Sequence, residues 1–212
     1  MGKQELLNQL KKKMSDDVTL PLRKGSTQLV FGDGNPDAKI LFIGEGPGYW
    51  EDVKGIPFVG NAGALLNQML MMVKVPRKDV FITNVIHHRA PQNRDPLPEE
   101  IKAYQPYLDE IIKVIDPKVI VTLGRFSMAK FLPGVFISSV HGREKKVQID
   151  GKNRIILPMY HPAAALRNGD VKLKFKMDFE KLPDILKEAD KIEEQGVVKE
   201  KDEAKAEQMN LI

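Results

Sequence analysis

An acid, an aromatic ring and a bare stretch of backbone come together within 39–66, KILFIGEGPGYWEDVKGIPFVGNAGALL. The apolar run Ile40-Leu41-Phe42-Ile43 is short and bounded, and reads as a buried strand. It stops at Gly44-Glu45-Gly46-Pro47-Gly48, whose three glycines and one proline leave main-chain N–H groups free to face a ligand. Glu45 in that loop is a candidate for positioning water or meeting positive charge, because a carboxylate is a poor choice for binding phosphate. A second turn, Gly55-Ile56-Pro57-Phe58-Val59-Gly60, presents Phe58. The carboxyl end of a strand is where open α/β sheets put their ligands. Three more candidates follow: Asn84, whose amide offers a donor and an acceptor, His161 before Pro162, and the pair Leu166-Arg167. Each also has a plainer reading: Phe58 in the core, Asn84 capping a loop, His161 as a hydrogen-bonded structural histidine, and Leu166-Arg167 on a solvated helix start.

The segments carrying these residues resemble a known family. GEGPG, then ED, then GxPFVGxAGxLL is similar to the first motif of the family 4 uracil-DNA glycosylases. Asn84-Val85-Ile86-His87-His88-Arg89 with Asn93-Arg94-Asp95-Pro96 resembles that family's NVxxxRxPxNRxP segment, and 161–168, HPAAALRN, resembles its HPxxLLRN motif. Val119 to Arg125 matches the strand between them, so the resemblance runs from Val30 to Arg167 with the segments in order.

The resemblance implies a uracil-DNA glycosylase: a hydrolase that removes uracil from single- or double-stranded DNA and leaves an abasic site. Such an enzyme must extrude the nucleotide, stack the base, read its edge and stabilise the departing negative charge. Phe58 is then the stacking platform, and Gly46 and Glu51 line the uracil site beside it. Asn84 reads the edge, since one amide can pair with uracil O4 and N3–H while cytosine reverses that pattern. His161 directs an N–H at uracil O2, and Glu45 acts on the water or the oxocarbenium-like sugar. Leu166 wedges into the base stack, with Arg167 on a phosphate or the orphan base. Pro47, Gly48, Arg89 and Asn168 contact the DNA backbone. Better-known glycosylase families carry an aspartate in a GQDPY-type motif where this chain has Gly46. A glycosylase for hypoxanthine or xanthine and a damaged-DNA-binding protein without turnover are the alternatives. An unrelated nucleotide-binding domain is disfavoured because GK[ST] and GxGxxG are absent.

The family usually holds a [4Fe–4S] cluster on four cysteines, and this chain has none. The family pattern puts Asp17, Leu20, His88 and Tyr104 at those positions. Thiolates hold such clusters, and this set offers no equivalent soft cage. No cofactor is therefore expected; Leu20 and Tyr104 should supply apolar contact there, and Asp17 with His88 a polar pair. Adjacent His87 and His88 point apart on a strand and lack further ligands, so no metal site is expected.

These side chains need elements to position them. The expected order is a helix over Gln4–Met14, a short strand over Gln28–Phe31, a dense turn at Gly32–Pro36 and a strand over Lys39–Ile43. A helix capped by Asn61 over Ala62–Val73, a strand over Val80–Val85, and a helix opened by Pro98 and running to Ile115 come next. Then follow a strand over Lys118–Leu123, a helix over Arg125–Leu132, and a hairpin of Val147–Ile149 and Arg154–Pro158 about Asp150-Gly151. The loop at His141-Gly142-Arg143 is either DNA-facing or a surface turn. A last helix spans Asp170–Glu194, with Val171, Phe175, Phe179, Leu182 and Leu186 inward. Alternating strands and helices predict a single α/β domain over 1–194, with a central parallel sheet of about four strands flanked by helices. The charged segment 195–212 is expected to fray or be disordered.

Charge agrees with a polyanionic partner. The net charge of +4 divides into −4 over 184–212 and +8 elsewhere. No apolar run approaches a membrane span and no signal peptide is visible. A cytoplasmic monomer is expected.

Overall fold

The computed structural model of the protein describes residues 1–191; the expected domain end at 194 and the tail 195–212 lie outside them. The chain forms α1 (Lys3–Asp16), β1 (Asp33–Gly34), β2 (Ile40–Gly44), α2 (Tyr49–Lys54), α3 (Asn61–Met72), β3 (Phe81–Asn84), α4 (Pro98–Ile115) and β4 (Val119–Leu123). It continues through α5 (Arg125–Ala129), α6 (Ile137–Val140), β5 (Lys145–Ile149), β6 (Lys152–Met159), α7 (Pro162–Arg167) and α8 (Gly169–Glu180). A further helical segment covers 182–191.

The six strands lie in the order β1-β3-β2-β4-β6-β5. The inner four are parallel, as expected; β1 and β5 add antiparallel edges. Every residue of β2 is buried because both of its faces are covered. Ile40 and Phe42 pack with Leu66 and Leu70 of α3 and with Phe175 and Phe179 of α8. Leu41 and Ile43 point the other way, onto Leu7 and Met14 of α1 and Tyr104, Leu108 and Ile111 of α4. The period of two along the strand thus sorts one apolar run into two cores.

Four local expectations are corrected. The strand expected at 28–31 does not form, because the Phe31 carbonyl accepts from the Thr83 hydroxyl (2.7 Å) and the Val30 and Phe31 carbonyls both accept from His87 Nδ1. Pairing moves to Asp33–Gly34, inside the predicted turn. Gly34 has φ +128°, and a Cβ there would lie 2.0 Å from the Val80 carbonyl oxygen. Helix α3 is not capped by Asn61: Gly60 holds the cap position, and Asn61 is the first helical residue. The helix expected over 170–194 breaks at Lys181. Pro183 lacks an N–H and its ring crowds the preceding turn, so it starts a new helix instead of continuing α8. Helices α2, α6 and α7 are additional, each six residues or fewer. The hairpin about Asp150-Gly151 is as expected, with φ of +51° and +74° at its two turn residues.

Candidate active site

The carboxyl ends of the parallel strands open into a cavity of about 560 Å³ lined by Glu45, Phe58, Asn84, His161 and Arg167, together with Gly46, Pro47, Gly48 and Glu51. Gly44 and Asn84 sit side by side at the ends of β2 and β3. Asn84 is 1 % exposed. Its Oδ1 is buried and has no hydrogen-bond partner. An unpaired buried acceptor costs about 1–3 kcal/mol, so one on a residue that lines a cavity is a candidate partner for a ligand's donor.

Phe58 is both a core residue and a wall of the cavity. Its φ of +52° is unusual for a bulky side chain, and the surrounding contacts hold it there. Arg77 donates to the carbonyls of Pro57 (2.6 Å) and Phe58 (3.2 Å). Glu51 Oε1 accepts from the N–H groups of Val59 (2.9 Å) and Gly60 (2.8 Å). Glu51 thus lines the cavity while clamping the Phe58 turn and serving the start of α3. Asp52, the other acid of α2, is buried and accepts from Thr27 N–H (2.9 Å) and hydroxyl (2.8 Å).

His161 caps α7 and its ring centroid lies 5.8 Å from that of Phe58. Its Nδ1 accepts from Ala163 N–H at 3.1 Å, which leaves the proton of the neutral ring on Nε2. Burial, aided by the positive charge of Arg167, depresses its pKa to about 4. The ring is therefore neutral at pH 7 and offers an N–H. The Glu45 carboxyl is pushed above its ordinary value by burial and by Asp95, against the pull of Arg125 and Arg167. Asp95 and Arg125 form an ion pair on the cavity rim. Neither residue stands out as a site residue in the sequence, where the Asn-Arg-Asp-Pro run is the available signal.

The residues expected on DNA divide into two groups. Pro47, Gly48 and Arg167 line the cavity, as does Gly46, which was expected at the uracil site, and Leu166 stands 47 % exposed beside it on α7. A Cβ at Gly46 would meet the Ile86 side chain at 2.6 Å, so the aspartate of the GQDPY-type families would require Ile86 to move. Arg89 and Asn168 do not line the cavity: Arg89 Nε donates to Asn93 Oδ1 (2.7 Å), and Asn168 Oδ1 caps α8 at Val171 N–H (3.1 Å). The loop at His141 is tied inward, with Nδ1 2.8 Å from the buried Asp178 and the ring tilted against Tyr160 at 4.6 Å between centroids.

The four positions of the family's cluster are packed without one. Leu20 and Tyr104 are buried in one core, as expected. The expected Asp17–His88 pair is not formed. His88 Nδ1 bonds the Tyr104 hydroxyl at 2.8 Å, while Asp17 accepts from the Tyr107 hydroxyl at 2.6 Å and from Thr19. The reason is burial: His88 lies inside, where the phenol is its partner, and Asp17 stays near the surface with hydroxyl donors of its own. With no thiolate, and with the polar atoms of Asp17, His88 and Tyr104 already engaged in hydrogen bonds, these side chains do not fit an iron–sulfur cluster. Among the described residues no group of three or more His, Cys, Asp or Glu is placed to hold a metal ion. Purified protein should be colourless and contain no stoichiometric iron by elemental analysis.

Three neutral histidines make the fold acid-sensitive. Burial depresses His87, His88 and His161 to about 4 each. His87 Nδ1 faces two carbonyls and so carries the proton, and its buried Nε2 has no partner. Each binds a proton more readily unfolded than folded. Their contribution is therefore complete above pH 6.5 and is lost as pH falls toward 4. For His87 the loss amounts to about 3 kcal/mol once pH is below both values. Urea unfolding should show stability falling between pH 7 and pH 5, above the range where carboxylates protonate. His87→Gln, which keeps a donor without titrating, should flatten part of that slope; a flat parent profile would refute the assignment.

Comparison with known proteins agrees with the geometry. The family model for the Uracil DNA glycosylase superfamily matches residues 31–187. The chain is 44 % identical over 170 residues to a type-4 uracil-DNA glycosylase of Archaeoglobus fulgidus, covering 77 % of this chain and 85 % of that protein. It is 44 % identical to the one from Sulfurisphaera tokodaii, over 75 % of each chain. Against the one from Thermotoga maritima it is 38 % identical, over 81 % of this chain and 89 % of that protein.

Proposed function

The chain belongs to the uracil DNA glycosylase superfamily, and from that premise we propose that it hydrolyses the N-glycosidic bond of uracil in DNA, leaving an abasic site for base-excision repair. The observation that carries the reading is the unpartnered Oδ1 of buried Asn84 at the wall of a cavity that also holds Phe58 and a neutral His161.

An extruded uracil stacks on Phe58, which is locked in place by Arg77 and Glu51. Asn84 Oδ1 accepts from N3–H and its amide N–H donates to O4. Cytosine presents the reverse pattern and is refused. As the C1′–N1 bond breaks, its electron pair moves onto uracil, and His161 Nε2–H donates to the charge growing on O2. The donor is already oriented, because Nδ1 is occupied by Ala163 N–H. Glu45, ionised, stabilises the positive sugar and takes the proton of the water that attacks C1′; its raised pKa makes it a better base. Arg167 and the main chain of Pro47 and Gly48 hold the DNA backbone, and Leu166 fills the space left by the base. The protein acts as a monomer in the cytoplasm; no described helix is long and apolar enough to cross a membrane.

The test is incubation with matched oligonucleotides carrying uracil, hypoxanthine, xanthine or thymine, followed by alkaline cleavage at abasic sites. Strand breaks at uracil are expected. Breaks only at another deaminated base, or at none, would overturn the reading. Asn84→Asp should lower uracil excision about tenfold to a hundredfold, because an acceptor then faces O4. Unchanged excision per folded molecule with a lowered Tm would make Asn84 structural.

A further inference from the structure

We propose that Tyr49, Trp50 and Arg89 form a stacking platform outside the cavity that binds unpaired bases flanking the extruded nucleotide, and so favours single-stranded DNA. The inference rests on the reading of the cavity as one that receives a base from DNA.

Two large aromatic side chains stand more than half exposed where the glycine loop enters α2: Tyr49 at 54 % and Trp50 at 55 %. Their rings meet edge to face at 5.1 Å, so each holds the other's orientation. They flank the site directly. Gly48 before them and Glu51 after them line the cavity, and Trp50 Cδ1 lies within 3.6 Å of where a Cβ of Gly60 would stand, in the clamped turn that presents Phe58. Val53, one helical turn after Tyr49 on α2, and Ile56 just beyond that helix are 42 % and 40 % exposed. An exposed aromatic pair costs solubility unless something covers it.

Charge identifies the occupant. The Arg89 guanidinium lies 5.3 Å over the Tyr49 ring. Its Nε is held by the neutral Asn93, a cavity residue, and among the described residues no carboxylate pairs with it. A cation fixed beside two exposed rings, at the mouth of a base pocket, is the pattern of single-strand recognition: rings stack bases of any sequence and the cation meets the phosphate. A duplex keeps its bases stacked on one another and has none to offer such a platform.

Trp50 is the only tryptophan in the chain, so its emission reports the platform directly. Full-length protein is titrated with a short single-stranded oligonucleotide free of uracil, and separately with the same sequence as duplex. Binding is followed in parallel by anisotropy of a labelled strand. The single strand should quench Trp50 in step with binding, and the duplex should bind without quenching. Trp50→Ala should weaken single-strand binding roughly tenfold, within the range of about fivefold to a hundredfold per stacked base, while Trp50→Phe retains most of the affinity. Single-strand binding that leaves Trp50 emission unchanged, or equal affinity of parent and Trp50→Ala, overturns the proposal and returns the pair to another partner such as a protein. Because the DNA carries no uracil, these results stand apart from whether the protein excises uracil.

Discussion

His161→Ala should lower the single-turnover rate of uracil excision by about two to three orders of magnitude while leaving equilibrium binding to uracil-containing DNA near the parent value. The charge on uracil O2 exists only as the bond breaks, so a donor aimed at it contributes to the transition state and little to the ground state. The donor here is a neutral ring, because burial and Arg167 hold the pKa near 4 and Ala163 fixes the tautomer. Glu45→Gln should show the same split for a different reason, removing the charge and the base opposite the sugar. The pH profile distinguishes the two. The acid limb should follow Glu45, whose carboxyl titrates above its ordinary value, with rate lost as pH falls and the carboxylate is protonated. His161, depressed to about 4, adds no limb of its own near pH 6.5. Arg167→Ala should behave differently, with weaker binding and a shallower dependence on salt, because its contact is with the DNA itself. The measurements are single-turnover excision at saturating enzyme and equilibrium binding under the same conditions. Excision at the parent rate by both His161→Ala and Glu45→Gln would remove them from the chemistry.

Gly44→Ala should be nearly as damaging, although the change is one methyl group at a residue that touches no substrate. A Cβ there would stand 2.4 Å from Asn84 Oδ1 and 2.6 Å from the Phe58 ring. Neither neighbour has room to give. Asn84 is fixed at the end of β3 by the register that pairs it with Gly44, and Phe58 is held in its left-handed turn by Arg77 and Glu51. The methyl therefore pushes apart the residue that reads uracil and the residue that stacks it. A shift of about an ångström in a positioned group can cost on the order of a hundredfold in rate. Overpacking should also lower stability by about 1–3 kcal/mol. The decisive measurement is excision per folded molecule beside urea unfolding. A hundredfold loss of excision with modest destabilisation supports the close approach; parent-like excision would mean that the loop relaxes freely.

The order of elements was legible in the chain, because the signals for it are local. The short bounded apolar run Ile40–Ile43 and a proline at the first helical position before 99–115 are properties of neighbouring residues, and they read correctly as β2 and α4. The same holds for the Asp150-Gly151 hairpin and for the glycine-rich loop after β2, where composition alone excludes strand and helix. Errors arose where a distant group competed for a local hydrogen bond. Thr83 and His87 took the carbonyls of a would-be strand at 28–31, and Pro183 cut a helix whose apolar spacing ran through it.

The candidate site divides in the same way. Glu45, Phe58, Asn84 and His161 could be chosen from residue type, turn context and ordered segments. Their states could not, since each depends on burial and on contacts made only once the chain has folded. Asn84 could equally have capped a loop; the parallel register beside Gly44 buries it with an unpaired oxygen. His161 could have been cationic; the cavity walls and Ala163 make it neutral with the proton on Nε2. Glu51 was one acid among several until the fold set its carboxylate on the N–H groups of Val59 and Gly60. Asp95 and Arg125 joined the rim only because β4 brings 125 beside the loop after β3. Residue type determines what chemistry a side chain can perform; protonation, orientation and an unfilled hydrogen bond are set by burial and distance, which exist only once the strands have paired.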